Sequence, residues 1–197
     1  MSSGGALFDL NKLNDISKDV LVKIPAEELY SFLLNWAKEF RPEILSLIEN
    51  NKEYVTKILD LGRNGKKPRK DLIYAKQIFD FISYFFDDYF IIKDSIPKEV
   101  NDEDAAEILR RYLASYNHSD DQSQWFDKIR SIAEEMGYAS KPKDFKKNPD
   151  QYKGHVGHVS TVIRIAIMGR TQSPDVWEIQ QILGEKRTRE RLEIMIK

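Results

Sequence analysis

Four stretches of this chain carry residue types whose spacing suits chemistry or ligand binding. His155-Val156-Gly157-His158 sets two imidazoles three residues apart. A zinc site needs three or four protein ligands, and no third one is evident nearby, so the pair reads as a helix entry with Val156 and Val159 packing inward. Arg63, Lys66, Lys67, Arg69 and Lys70 crowd the run RNGKKPRK. Like charges so close repel unless an anion or solvent screens them. The run is therefore either a phosphate contact, with Lys66, Lys67 and Arg69 on the backbone, or a solvated loop. Arg164 interrupts an apolar helical run of Val162, Ile163, Ala166 and Ile167. A guanidinium there is costly without a partner. It either pairs with a carboxylate or presents its fork to a base. Residues 169–177, GRTQSPDVW, break that helix at Gly169 and Arg170 and restart one, with Ser173 expected as N-cap and Pro174 at the first helical position. RNA bases stack on flat or apolar side chains, here Trp177 and Val176, and N–H groups at a helix start can take anionic oxygens.

The elements that must position these groups are helical throughout. Asp9 can cap a short helix with Leu10, Leu13 and Ile16 inward. Pro25 opens the next, whose Leu29, Phe32, Leu33, Trp36 and Phe40 form an apolar face read as core. Ile44, Leu45, Ile48, Val55, Ile58 and Leu59 continue the pattern to Gly62. Residues 72–86 read as one long aromatic-rich helix, and Asp87, Asp88, Asp94 and Glu99 mark an acidic loop poorly suited to RNA. Asn101 caps a helix through Ile108, Leu109, Tyr112 and Leu113. The polar run 116–122, YNHSDDQ, reads as a hinge, with Asp120 or Asp121 capping the helix of Trp125, Phe126, Ile129 and Ile132 that ends at Gly137. Residues 141–153 form a second basic loop in which Lys143, Lys146 and Lys147 are phosphate candidates. Arg187, Arg189 and Arg191 read as a solvated face of the last helix. No segment alternates with a strand period. The fold class is all-α, about nine helices in two consecutive bundles. The expected divisions are a tether over 1–23, a first helical subdomain over 24–117 and a second over 118–197.

Composition narrows the functional classes. The 197 residues include 41% hydrophobic side chains, enough for a core. Lys and Arg number 31 against 32 Asp and Glu, a net charge of -1, so a nucleic-acid binder must gather its cations on one face. Without cysteine there is no disulfide, thiolate catalysis or Cys-ligated zinc. No basic start precedes an apolar run as in a signal peptide, and no apolar run reaches the ~20 residues of a membrane helix. The expectation is a cytoplasmic monomer that avoids membranes.

The order R-I-A-I-M-G-R, then S-P-D-V-W-E-I, then L-G-E-K-R-T-R-E-R-L, resembles the C-terminal anticodon-binding region of bacterial glutamyl-tRNA synthetases. Gly5-Ala6-Leu7-Phe8-Asp9 and Lys12-Leu13-Asn14 resemble the segment following the catalytic body of that family. The resemblance covers nearly the whole chain and is strongest at its two ends.

It implies that the chain recognises the anticodon of tRNA-Glu, with tRNA-Gln open as a second partner. Residues matching Ser173, Pro174 and Val176 line the family's pocket for anticodon bases. An arginine stands at the place of Arg164. Arg63, with Arg69 as rival, matches the arginine that reads the last anticodon base. The first segment implies contact with the inner corner of the tRNA and a tether to the catalytic domain. His155-Val156-Gly157-His158 is close to the ATP-gripping His-x-Gly-His signature of class I synthetases. That signature follows the first strand of a nucleotide-binding sheet, and residues 148–154, NPDQYKG, are no strand. The family's Lys-Met-Ser-Lys-Ser loop is absent. The chain is therefore expected to lack the catalytic nucleotide-binding domain, to hold no cofactor and to be no enzyme on its own, ATP and Mg belonging to the parent enzyme's catalytic domain. The rival reading from another class is an all-helical protein-interaction module.

Overall fold

Apolar residues recurring at helical spacing become helices wherever a cap and a partner surface are both available. A computed structural model of the chain describes residues 9–63 and 68–196. Among them lie eleven α-helices and three short 3₁₀ turns, and the β-type pairing there is one isolated bridge between Ala139 and His155. Among the described residues, no helix is long and apolar enough to cross a membrane. The chain divides into two compact units, Met1–Ser83 and Tyr84–Lys197.

The first unit holds α1 (Leu10–Leu21), α2 (Ala26–Phe40), α3 (Leu45–Asn50), α4 (Lys52–Asp60) and α5 (Ala75–Ser83). Asp9 caps α1 as expected, its carboxylate accepting from the Asn11 and Lys12 amides. The inward assignment of Leu10, Leu13 and Ile16 is overturned: all three are exposed, as is Val20. Leu21 is buried at the end of α1, and the ties along the rest of it are polar, Ser17 Oγ donating to the Ile73 carbonyl and Lys70 pairing with Asp19. On α2 the buried line is Leu29, Leu33 and Ala37, each wholly inaccessible, facing α3, α4 and α5. Phe32 and Phe40 stand exposed on its flank and Trp36 is half-buried, so the apolar face is wider than the groove that receives it. The expected helix over 72–86 is helical only from Ala75 to Ser83, because the Gln77 side chain accepts from the Ile73 amide and holds the preceding residues in a turn.

The second unit holds α6 (Asp102–Ser115), α7 (Gln122–Glu135), α8 (Pro142–Lys147), α9 (Val156–Met168), α10 (Val176–Leu183) and α11 (Glu185–Ile196). Eight of the residues of α9 are buried, among them Ile165 and Met168, and it packs on α6, α7 and α11. A helix apolar nearly all round belongs at the centre of its bundle. Gln180 of α10, fully buried, meets the Tyr112 hydroxyl of α6, which also accepts from Trp125 Nε1 of α7 at 2.7 Å. Buried polar groups must find partners, and this network joins three helices at one point.

The 117/118 boundary expected from the polar run therefore lies inside the second unit. Residues 116–122 form a turn between packed helices: Tyr116 is buried, and Lys128 binds both Asp120 and the Ser115 carbonyl. A polar run marks solvent exposure, not an absence of contacts across it. The solvated face expected for Arg187, Arg189 and Arg191 is also corrected. Arg191 is 2% exposed, donates to the Ile167 carbonyl and Asp87, and lies 4.1 Å from the Phe90 ring. Arg189 donates to the Leu113 and Tyr116 carbonyls, and Arg187 to that of Phe85. The acidic residue Asp87 thus serves the packing of α11.

Candidate nucleic-acid interface

Arg164 sits on α9 where an apolar residue would complete the buried surface. Its Nη1 donates to the Thr171 carbonyl at a long 3.4 Å, and its Nε is buried with no hydrogen-bond partner. The expected alternative, an ion pair with a carboxylate, is absent among the described residues; burial pulls its pKa below the ordinary value, and the charge of Asp175 opposes that. An arginine carries five N–H donors, so most of this fork is unspent. It lines a cleft of about 470 Å³ with Gln122, Ser123 and Phe126 of α7, Ser160 of α9, and Asp175 and Val176 at the start of α10. That size falls in the range of roughly 300–1,000 Å³ typical of small-molecule sites.

The loop that closes this cleft is built on Gly169. Its φ of 70° is left-handed, and a Cβ there would lie 2.1 Å from the Ile91 carbonyl oxygen. The close approach lets the Lys93 and Asp94 amides donate to the Gly169 carbonyl, at 2.8 and 3.1 Å. The Asp94 carboxylate then accepts from the Thr171 amide and hydroxyl, at 2.6 and 2.7 Å, and these bonds hold its pKa below the usual carboxylate range. Sequence reasoning set Asp94 aside as part of an acidic loop. It is the anchor of the turn that carries Ser173 and Pro174.

The N-cap of α10 is Asp175, not Ser173. Asp175 Oδ1 accepts from the Trp177 and Glu178 amides, whereas Ser173 Oγ donates to the Pro174 carbonyl. A carboxylate satisfies helix-start N–H groups and complements the helix dipole, so it takes the cap from a serine two residues earlier. The amides expected to receive an anionic oxygen are consequently engaged by Asp175. Ser173 and Pro174 are half-buried, Val176 is buried, and half-buried Trp177 is tethered through Nε1 to the Asp120 carbonyl at 2.9 Å. Arg170 lies 5.7 Å from the Tyr84 ring centre.

The candidates of the first unit are differently employed. Arg63 Nη2 donates to the Leu21 and Ile24 carbonyls at 2.6 and 2.5 Å, closing the end of α1. Burial and the neighbouring Arg69 lower its pKa. The guanidinium carbon of Arg69 lies 3.7 Å from the centre of the Phe81 ring, and the side chain pairs with Asp71. Lys66 and Lys67 lie outside the described residues. The second basic loop is partly helical: Pro142 starts α8, and its Lys143, Lys146 and Lys147 are exposed with no ion pair among the described residues. The histidine pair forms the entry of α9 as expected. His155 Nδ1 accepts from the Gly157 amide, His158 Nδ1 accepts from the His155 amide, and the rings stack 3.9 Å apart. Among the described residues no group of three His, Cys, Asp or Glu side chains is placed to hold a metal.

Comparison with known proteins bears on this geometry. A family model described as an anticodon binding domain matches residues 28–196. The chain is 64% identical over 196 residues to the glutamate–tRNA ligase of Acetivibrio thermocellus, a match covering 100% of this chain and 36% of that protein. It is 39% identical over 196 residues to the glutamate–tRNA ligase of Clostridium perfringens, covering 98% of the chain and 36% of the relative. The corresponding ligase of Sorangium cellulosum is 36% identical over 194 residues, with 98% and 34% covered. The chain thus spans little more than a third of the length of these relatives. Because the family match runs through both units and takes in Arg164 with its cleft, the chain belongs to the family of anticodon-binding domains.

Proposed function

We propose that this chain recognises the anticodon of tRNA-Glu as part of a glutamate–tRNA ligase, and that it positions the RNA without making bonds itself. The observation that carries this reading is Arg164, a half-buried guanidinium facing a base-sized cleft with no carboxylate paired to it. A fork in that state binds a flat hydrogen-bonding edge. Arg170, Ser173, Pro174, Val176 and Trp177 are the further candidates for contact with anticodon bases, and Val176 among them lines the cleft. Lys143, Lys146 and Lys147 supply phosphate contacts that fix register, together with Lys66, Lys67 and Arg69 of the first basic run. Reading of the last anticodon base by Arg63 or Arg69 requires release from the carbonyls or from the Phe81 ring that now hold them. The exposed apolar line Leu10, Leu13, Ile16 and Val20 is the face assigned to the remainder of the ligase polypeptide, where ATP and Mg would act. The working state is a cytoplasmic monomer, and tRNA-Gln is the second RNA to test.

Filter binding of tRNA-Glu across a salt series tests this. Affinity should fall steeply as salt rises. Arg164→Ala should cost roughly 1–3 kcal/mol of specific binding while the helical signal is kept. Replacing Lys143, Lys146 and Lys147 together should weaken all RNAs alike and flatten the salt slope by about 2. A chain that binds no RNA at any salt, yet captures a protein through the α1 face, would replace this reading with the interaction module.

A further inference from the structure

Thr171 is bonded at all three of its polar groups. Its amide and hydroxyl both donate to Asp94 Oδ2, at 2.6 and 2.7 Å, and its carbonyl accepts from Arg164 Nη1 at 3.4 Å. Among the described residues that last bond is the single one made by the Arg164 guanidinium, whose Nε is buried without a partner. The fork is therefore aimed by the position of the Thr171 carbonyl, and Asp94 holds Thr171 in that position. Asp94 is itself fixed. Its amide and that of Lys93 donate to the Gly169 carbonyl, at 3.1 and 2.8 Å, and residue 169 comes this close only as a glycine.

A carboxylate near an RNA surface carries an electrostatic cost, since it repels phosphate. What its charge adds is acceptor strength, because hydrogen bonds to an ionised acceptor are shorter and stronger than neutral ones. Both bonds from Thr171 fall on one oxygen of Asp94. Resting on the RNA reading above, we infer that Asp94 is a positioning residue for RNA recognition: it touches no RNA, and it acts through Thr171 on the Arg164 fork. A fork without this support keeps its charge and loses its aim. Contacts to phosphates are then kept while specific binding falls.

Binding of tRNA-Glu to the intact chain, titrated below the melting midpoint of each variant, gives the test as a double-mutant cycle. Asp94→Ala should weaken specific binding about five-fold or more, a coupling typical of groups in one hydrogen-bonded chain, with the salt slope of the parent. In an Arg164→Ala background the same change should weaken it no further. Asp94→Asn, which keeps an acceptor in place, should recover most of the lost binding. Thr171→Val, which removes the hydroxyl and keeps the amide, should show a smaller loss that also disappears beside Arg164→Ala. It carries the test if Asp94→Ala does not fold. A loss in Asp94→Ala or Thr171→Val that is undiminished in the Arg164→Ala background would overturn the inference, because a general loosening of the fold does not depend on the arginine. Equal losses in Asp94→Ala and Asp94→Asn would overturn it too, as would binding unchanged by all three variants. A parent chain that binds no RNA at any salt would remove the RNA reading itself, and this inference with it, a result distinguishable from the others.

Discussion

Arg63 in the first unit and Arg164 in the second were equal candidates by residue type, and the structure employs them in opposite ways. Arg63 spends its guanidinium on the Leu21 and Ile24 carbonyls at the end of α1, where helix termination leaves acceptors unmet. Arg164 has one long bond and a buried, unpartnered Nε, facing a cleft. An arginine surrounded by carbonyls is a piece of architecture. An arginine left incompletely bonded at a cavity wall costs stability, and a ligand that met its donors would recover that cost. Arg191 extends the comparison within the second unit, since it is the most buried of the arginines and bonds to both Ile167 and Asp87.

The largest effect should come from Arg191. Truncation to alanine removes a buried bond to a carbonyl, the contact with Phe90 and the pairing with Asp87, which is itself exposed. A loss of roughly 2–3 kcal/mol in unfolding free energy is expected, the range for a charged hydrogen bond plus packing. Urea denaturation followed by circular dichroism measures it. A midpoint equal to the parent chain would place Arg191 with the unspent arginines. Next in size is Arg63→Ala, expected to destabilise the first unit by about 1–2 kcal/mol through the α1 carbonyls it exposes. Its signature against Arg164→Ala is a lower midpoint with unchanged specific binding of tRNA-Glu. A base preference altered by Arg63→Ala, without loss of stability, would erase the contrast and restore Arg63 as a reader.

What could be read in advance follows from how local each cause is. Caps and stops were legible because they act within a few residues: Asp9, Asn101 and Asp121 cap as expected, and Gly62, Gly137, Gly169 and Gly184 end or follow their helices. Arg164 was legible as an anomaly, a charge inside an apolar period. Its use was not, since the carboxylate rival was excluded only by the absence of an ion pair in the folded unit. Asp175 lost to Ser173 in the sequence because Ser-Pro is a strong start signal, while the competition between two caps is decided by acceptor strength. The burial of Arg191 and the anchoring by Asp94 depend on partners 104 and 77 residues away, and no local pattern carries that. The exposed α1 stripe shows the same limit, because helical spacing states which residues share a face and not what covers it.

The smallest predicted effect uses chemistry that one unit has and the other lacks. The three histidines, His118, His155 and His158, all lie in the second unit. His155 caps α9 as a neutral ring, its Nδ1 accepting from the Gly157 amide while its face stacks on His158 and its edge meets Phe145. Burial first, and the nearby His158 second, lower its pKa below 6.5, with Glu99 opposing. A depressed folded value means that the folded chain binds fewer protons than the unfolded one across this interval. Stability from His155 is therefore complete above the unfolded value near 6.5 and is lost as pH falls through the lower folded value. Protonation also removes the acceptor that caps the helix, worth about 1 kcal/mol for an ordinary N-cap. Amide exchange read residue by residue should show α9 opening more readily as pH drops from neutral to mildly acidic, after correction for intrinsic exchange rates. Helices α2 and α4 of the first unit should hold steady in that window. His155→Asn, which caps without titrating, should abolish the difference between the units; persistence of the acid-induced opening in that variant would move its origin away from His155.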